Sequence, residues 1–361
     1  MRAGFLLFNF NNGGAQNIII KTANLFAKNG IQTFLFVINY IGPLSTRVDK
    51  QVKVIDLNTK RSSRSLFKLI KYIKKNKVDV LITTTLGPSL LLIISKFILQ
   101  NKIKVYVREA SNPSSEKINN IKSKILSILG KLILRFADKV IAVSEGVKDD
   151  LIHFYKLNKK RIEVIYNPVF SVNNFIYRVK ENNSDKKSIL FLGRINRVKR
   201  IEIIIESINI LHNQGLNIEF NIVGNVTDEG YYNELNELVE KLDIINLVHW
   251  HGFSNDITKH FNNNDILVLS SLYEGLPSVL IEALIYGLQV VSCDCKSGPK
   301  EILNNGELGF LVEFDKCNPV NFANAIKLAI FNPIANKELN NHLKLFSEEA
   351  VFLQYLNIIN N

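Results

Sequence analysis

Short uninterrupted apolar runs alternate with longer stretches of helical period along almost the whole of this 361-residue chain, and that alternation restricts the fold most. A strand that is apolar on both sides must be covered on both sides, which parallel sheets flanked by helices achieve. The first half gives strand expectations at Ala3–Phe10, Thr33–Ile38, Val52–Asp56, Val78–Thr83, Ile103–Val107, Lys139–Val143 and Glu163–Ile165. After a polar, Asn-rich stretch the pattern restarts, at Ser188–Leu192, Ile218–Val223, Leu247–Trp250, Ile266–Leu269, Gln289–Ser292 and Phe310–Val312. The expectation is α/β throughout, as two doubly wound Rossmann-like domains. The first covers residues 1–168, a linker region 169–187, the second 188–336, and a helical tail at 337–361 could cross back to brace the first. The length suits two cores, and the cleft between the carboxyl ends of the two sheets is the expected ligand site.

Composition narrows the setting. Cys293, Cys295 and Cys317 are odd in number and lack framework spacing, which favours a reducing cytoplasm and small core residues over disulfides or a metal site. The N-terminal MRAGFLLFNF reads as a buried strand rather than a secretion signal. The most apolar helix candidate, Ser89–Leu99, falls far short of the roughly 20 residues that cross a bilayer.

Charge is divided unevenly. Residues 1–168 hold 29 Lys+Arg against 10 Asp+Glu, whereas residues 169–361 hold 16 against 23. A one-sided field implies an anionic partner, phospholipid or nucleic acid, or else reflects a lysine-heavy code that serves solubility. No aromatic-interleaved basic stripe, helix-turn-helix or RNP pattern supports nucleic acid. Two amphipathic helices, Arg64–Lys77 and Glu116–Arg135, set Lys68, Lys71, Lys74, Lys75, Lys122, Lys124, Lys131 and Arg135 beside Leu and Ile. They could lie on anionic lipid, or be Rossmann helices with lysines outward.

Three segments carry chemistry. Gly13 and Gly14 lie between the first strand and its helix, where backbone amides can face an anion or a tight turn can require glycine. Arg194 and Lys199 bracket the turn after Ser188–Leu192, where two cations can neutralise a diphosphate or remain solvated. The third and strongest is Ser270-Ser271-Leu272-Tyr273-Glu274-Gly275-Leu276-Pro277-Ser278-Val279-Leu280-Ile281-Glu282, directly after a strand. Pro277 suits the first helical position, so the amides of Ser278 and Val279 would point out of the helix start toward a phosphate. Glu274 and Glu282 can accept hydrogen bonds from vicinal hydroxyls, one on a sugar and one on a ribose.

Glu274 and Glu282 form an E-x7-E motif, and on it the chain resembles the retaining family-4 glycosyltransferases of GT-B fold. Further matches are Gly13-Gly14, Val143-Ser144-Glu145-Gly146, Asn167-Pro168, Gly193-Arg194 with Lys199, Ser297-Gly298-Pro299 with Glu301, and Gly309-Phe310-Leu311-Val312. The resemblance implies that Arg194 and Lys199 bind a donor diphosphate, that Glu282 binds the ribose and that Glu274 holds the sugar near the reacting carbon. Gly275, Leu276, Pro277, Ser278 and Val279 complete the donor loop. It further implies a nucleotide sugar, retention of anomeric configuration, and no metal or other cofactor.

One position departs from that family. Where many relatives carry a histidine, this chain has Val107-Arg108-Glu109-Ala110-Ser111-Asn112-Pro113. Glu109 could take the acceptor's proton or pair structurally with Arg108. The segment resembles members that build surface polysaccharides and lipid-linked oligosaccharides. His249 and His251 flank Trp250 and either approach the nucleobase or serve the core. The expectation is therefore a UDP-hexose or UDP-N-acetylhexosamine transferase, with a lipid-linked or glycan acceptor at the inner face of the cell membrane. The rivals are a nucleic-acid-binding protein and an epimerase or hydrolase acting on nucleotide sugars.

Overall fold

The computed structural model describes residues 1–11, 13–59, 62–115, 121–174, 185–334 and 341–360. Residues 116–120 of the helix expected from Glu116, most of the expected linker and the beginning of the expected tail lie outside that set. The chain divides into two compact units, Met1–Val172 together with Leu345–Asn361, and Asn173–Lys344. The boundary thus falls four residues after the Asn167-Pro168 pair.

The first unit alternates in chain order: β1 (Arg2–Leu7), α1 (Gly14–Lys28), β2 (Gln32–Val37), β3 (Lys53–Asp56), α2 (Ser62–Asn76), β4 (Val80–Thr84), α3 (Leu86–Ile98), β5 (Lys104–Glu109), α4 (Ile121–Phe136), β6 (Lys139–Ala142), α5 (Glu145–Tyr155) and β7 (Ile162–Val164). Among the described residues these strands form one seven-stranded parallel sheet in the order β3-β2-β1-β4-β5-β6-β7. The buried runs Phe5–Leu7, Phe34–Val37 and Val80–Thr84 explain why these segments are central: they have no side that tolerates water.

The second unit contains β8 (Lys187–Leu192), α6 (Ile201–Asn213), β9 (Ile218–Val223), α7 (Glu229–Lys241), β10 (Val248–Gly252), α8 (Ile257–Asn263), β11 (Ile266–Leu269), α9 (Ser278–Ile285), β12 (Gln289–Asp294), α10 (Pro299–Ile302), β13 (Phe310–Glu313) and α11 (Pro319–Phe331). Among the described residues its strands form one six-stranded parallel sheet in the order β10-β9-β8-β11-β12-β13. In each sheet the winding direction reverses once, between β1 and β4 and between β8 and β11, and the carboxyl ends of those strands diverge to leave a ligand crevice.

The last helix, α12 (Glu348–Asn360), belongs to the first unit. Phe352 and Tyr355 set their rings edge-on against Phe26 of α1 at 5.5 and 5.6 Å. Val351, Ile358 and Ile359 join Phe5, Ile19 and Val37 in one core cluster. The final carbonyls of the helix are taken up by the sheet: Tyr106 donates its hydroxyl to the Ile358 carbonyl at 2.9 Å, and Lys104 donates to that of Ile359 at 3.2 Å. These are the carbonyls a helix end leaves without internal donors. No helix among the described residues is long and apolar enough to cross a membrane.

Candidate active site

The second-unit candidates lie on loops leaving the carboxyl ends of β8, β11 and β12, at the reversal in that sheet. The turn after β8 is pinned by backbone pairs: Gly193 N donates to Val223 O at 2.9 Å and Ile195 N to Asn225 O at 2.8 Å. Gly224 lies so close beneath it that a Cβ there would fall 1.7 Å from the Gly193 carbonyl oxygen. A single tight turn, Arg197–Lys199, follows.

The β11 loop is fastened to that turn. Ser270 Oγ lies 2.8 Å from both the Lys199 and the Arg200 carbonyl oxygens, and Leu272 N donates to Val198 O at 2.8 Å. Arg200 adds a strut, its Nε donating to the Ser270 carbonyl at 2.7 Å and its guanidinium lying 5.2 Å above the Phe314 ring. The consequence is one close contact: Lys199 Nζ lies 2.5 Å from Glu274 Oε1, with 16% and 14% of the two side chains exposed. Ser271 Oγ donates to the same carboxylate oxygen at 2.7 Å. Two residues expected to act on different parts of a donor are thus paired with each other.

Pro277 is displaced by one position from the expectation. It is the N-cap of α9, with ψ 87°, rather than its first helical residue. Its carbonyl already accepts from Leu280 N at 3.0 Å while its own backbone is not helical, which defines the cap. Ser278 and Val279 are therefore the first two helical residues, and the helix start follows directly on the loop that carries Glu274. Glu282 is partly buried and stands one turn on, on the same face as Ser278. Arg194 is exposed and makes no hydrogen bond or ion pair among the described residues, while nearby Arg197 is committed to Glu234 and Asp228.

Gly298 packs closely against the loop between β11 and α9. Its φ is +95°, and a Cβ would lie 2.4 Å from Pro277 Cδ and 3.1 Å from the Gly275 carbonyl oxygen. Gly298→Ala is expected to cost about 2–4 kcal/mol, from left-handed strain plus overpacking, and to loosen the loop against Glu274. Denaturant unfolding checks the cost; an unchanged midpoint contradicts it.

Gly13 is the N-cap of α1 with an extended backbone, and Gly14 is its first residue. A Cβ on Gly14 would meet nothing within 4 Å, and one on Gly13 would meet only the end of the Gln16 side chain. The turn itself therefore does not demand glycine at 14. Glu109 ends β5, partly buried. The alternative that it serves mainly to pair with Arg108 meets a competing geometry. The Arg108 guanidinium is 2% exposed and donates from Nη2 to Asn167 Oδ1, while Nε and Nη1 have no acceptor among the described residues. Burial lowers the Arg108 pKa.

His251 Nε2 lies 2.7 Å from Asn221 Oδ1, and burial with the neighbouring His260 keeps its pKa below the usual histidine value. The three cysteines are free and buried, and a hydrogen bond with Cys317 together with burial pushes the Cys293 thiol up. Among the described residues no group of three or more His, Cys, Asp or Glu side chains gathers in a metal-holding arrangement.

Sequence reasoning placed Ser270 and Ser271 in the strongest segment without giving them a role, and it missed Arg200. The serine doublet directly after a fully buried strand was a usable signal, because two hydroxyls at 0% exposure must find acceptors. Arg200 had no signal among so many cations.

Comparison with known proteins bears on the family and the fold. The model described as "Glycosyltransferase Family 4" matches residues 12–170, and the one described as "Glycosyl transferases group 1" matches residues 173–345. An uncharacterised glycosyltransferase of Haemophilus influenzae is 26% identical over 96% of both chains. A Campylobacter jejuni α-1,4-N-acetyl-D-galactosaminyltransferase, named for a diphospho-undecaprenol-linked glycan, is 26% identical over 95% of this chain and 93% of its own. Among solved structures, Anabaena HepE in complex with UDP-glucose superposes with a TM-score of 0.81 at 20% identity, covering 100% of this chain and 99% of that one.

Proposed function

We infer the reaction from one premise: this chain belongs to the family-4 glycosyltransferases of GT-B fold, enzymes whose relatives here serve surface-polysaccharide assembly. The proposed reaction moves a hexose or N-acetylhexosamine from a UDP-sugar to a lipid-linked or glycan acceptor, with retention of configuration and without a metal. The Lys199–Glu274 pair beside the start of α9 carries this reading. It places a cation, a carboxylate and a helix N-terminus on adjoining loops, the set needed to hold a pyrophosphate and a sugar together.

In this scheme Lys199 and Arg194 face the diphosphate, assisted by the helix dipole and the amides of Ser278 and Val279. Charge growing on the leaving phosphate is met by groups already in position, which is the main catalytic contribution. As the donor settles, Lys199 shifts part of its attraction from Glu274 to phosphate, and Glu274 becomes an acceptor for sugar hydroxyls. Glu282 accepts from the ribose, and Gly275, Leu276 and Pro277 form the wall of the loop. In the first unit, Gly13 and Gly14 offer backbone amides at a helix start to an anion, and Glu109 takes the acceptor's proton. The similarity to a transferase named for an undecaprenol-linked glycan supports a lipid-linked acceptor. The basic first half supports a peripheral position on the cytoplasmic face of an anionic membrane.

Thermal melting against UDP-, GDP- and ADP-sugars tests this. A ligand present at 100 times its Kd adds about 2.7 kcal/mol to the native state. The expected result is a rise with UDP-sugars that persists in EDTA; no shift with any nucleotide sugar overturns the reading. Product analysis with an acceptor separates transfer from epimerisation or hydrolysis.

A further inference from the structure

We propose that the helical layer α2–α3–α4 of the first unit is a bilayer-docking surface, which seats an apolar crest shared by α3 and α4 in the acyl boundary of an anionic membrane. The inference deepens the membrane side of the function above and rests on it for its purpose; its geometry stands on the first unit alone. The three helices pack side by side in chain order.

An ordinary Rossmann helix spends its one apolar stripe on the sheet. α4 has that stripe, with Ile133 and Leu134 at 3% and 2% exposure. It also has a second one turned outward: Ile121, Ile125, Ile128 and Leu132, spaced by four, three and four residues, are 43% to 79% exposed. On α3, Ile94 and Phe97 are likewise open, at 37% and 52%. The rings of Phe97 and Phe136 meet edge-on at 5.4 Å, which joins the two helices into one patch. Isolated exposed apolar residues need no explanation, whereas a continuous patch across two helices marks an interaction surface.

Charge identifies the partner. α2, α3 and α4 carry ten Lys+Arg and no Asp or Glu. Of these, Lys96 is occupied by Asp138 at 2.7 Å. Protein interfaces are depleted in lysine at their cores, whereas helices lying in a membrane surface set aliphatic and aromatic residues between lysines whose stems reach back to the headgroups. The outward stripe runs most of the length of a helix about 24 Å long, which suits a flat bilayer better than a compact pocket.

The test is co-sedimentation of the full chain with phosphatidylcholine vesicles, with and without phosphatidylglycerol, over a range of salt. The expected result is binding that needs the anionic lipid and falls with salt. Ile125→Gln with Ile128→Gln should weaken it about tenfold or more, and Lys124→Gln with Lys131→Gln should weaken it and flatten the salt dependence. Wild-type-like binding by the isoleucine variant, or no binding by the wild type, overturns the proposal. So does a lipid-free dimer that the isoleucine variant dissolves, since the face is then a contact between copies. Melting shifts with UDP-sugars report on the second unit: if they persist in every variant while lipid binding never occurs, the docking surface fails and the donor reading stands.

Discussion

Replacing Lys199 by alanine is expected to lower kcat by about 100- to 1000-fold, the range seen when one preorganised donor to a developing oxyanion is removed. Glu274→Ala should have a loss of similar size, because the sugar is no longer held. Each change also has a structural cost. With 16% and 14% of the two side chains exposed, deleting one leaves its partner largely buried and unpaired. For fully buried pairs that costs about 3–5 kcal/mol, and solvent at this rim reduces it. The double replacement Lys199→Ala with Glu274→Ala separates the two effects. It should recover much of the melting temperature lost in either single variant and none of the turnover. Recovery of both, or full activity in either single variant, contradicts the assigned roles.

Ending the chain at Lys344 should abolish folding of the first unit, although every strand of its sheet remains. The lost helix α12 places Val351, Phe352, Tyr355, Ile358 and Ile359 in the first unit's core, each with 8% exposure or less. At about 1.5–3 kcal/mol for each buried large side chain, their removal amounts to roughly 10 kcal/mol, as much as the whole stability of an ordinary domain. Tyr355→Ala alone should cost about 3–5 kcal/mol. Soluble yield and circular dichroism melting decide the matter, and a truncated protein with an unchanged first transition contradicts this role for α12.

Most of the architecture was legible because its strands are apolar on both faces. All thirteen strand expectations correspond to observed strands, two of them end for end and the rest with ends that shift by at most three residues. Ends are set by caps and loop pairing that periodicity does not report. Pro277 illustrates this: proline suits both the cap and the first turn, and only the bond from Leu280 to its carbonyl separates them. The site was legible in its residue types and less so in its pairing. Lys199 and Glu274 are 75 residues apart, and nothing in either segment says that they touch; the contact depends on Ser270, Leu272 and Arg200 holding two loops together. The outward apolar stripe of α4 was illegible for a related reason: a helix with apolar residues around much of its circumference does not declare which of them meet the sheet.

The central claim is that the β8, β11 and α9 loops of the second unit together hold a donor pyrophosphate. Crystals grown with UDP test it most directly. The account predicts phosphate oxygens within hydrogen-bonding distance of Lys199 Nζ and of an amide at the start of α9, with the ribose hydroxyls on Glu282. A nucleotide bound elsewhere, with the Lys199–Glu274 contact unchanged and the start of α9 facing solvent, contradicts it.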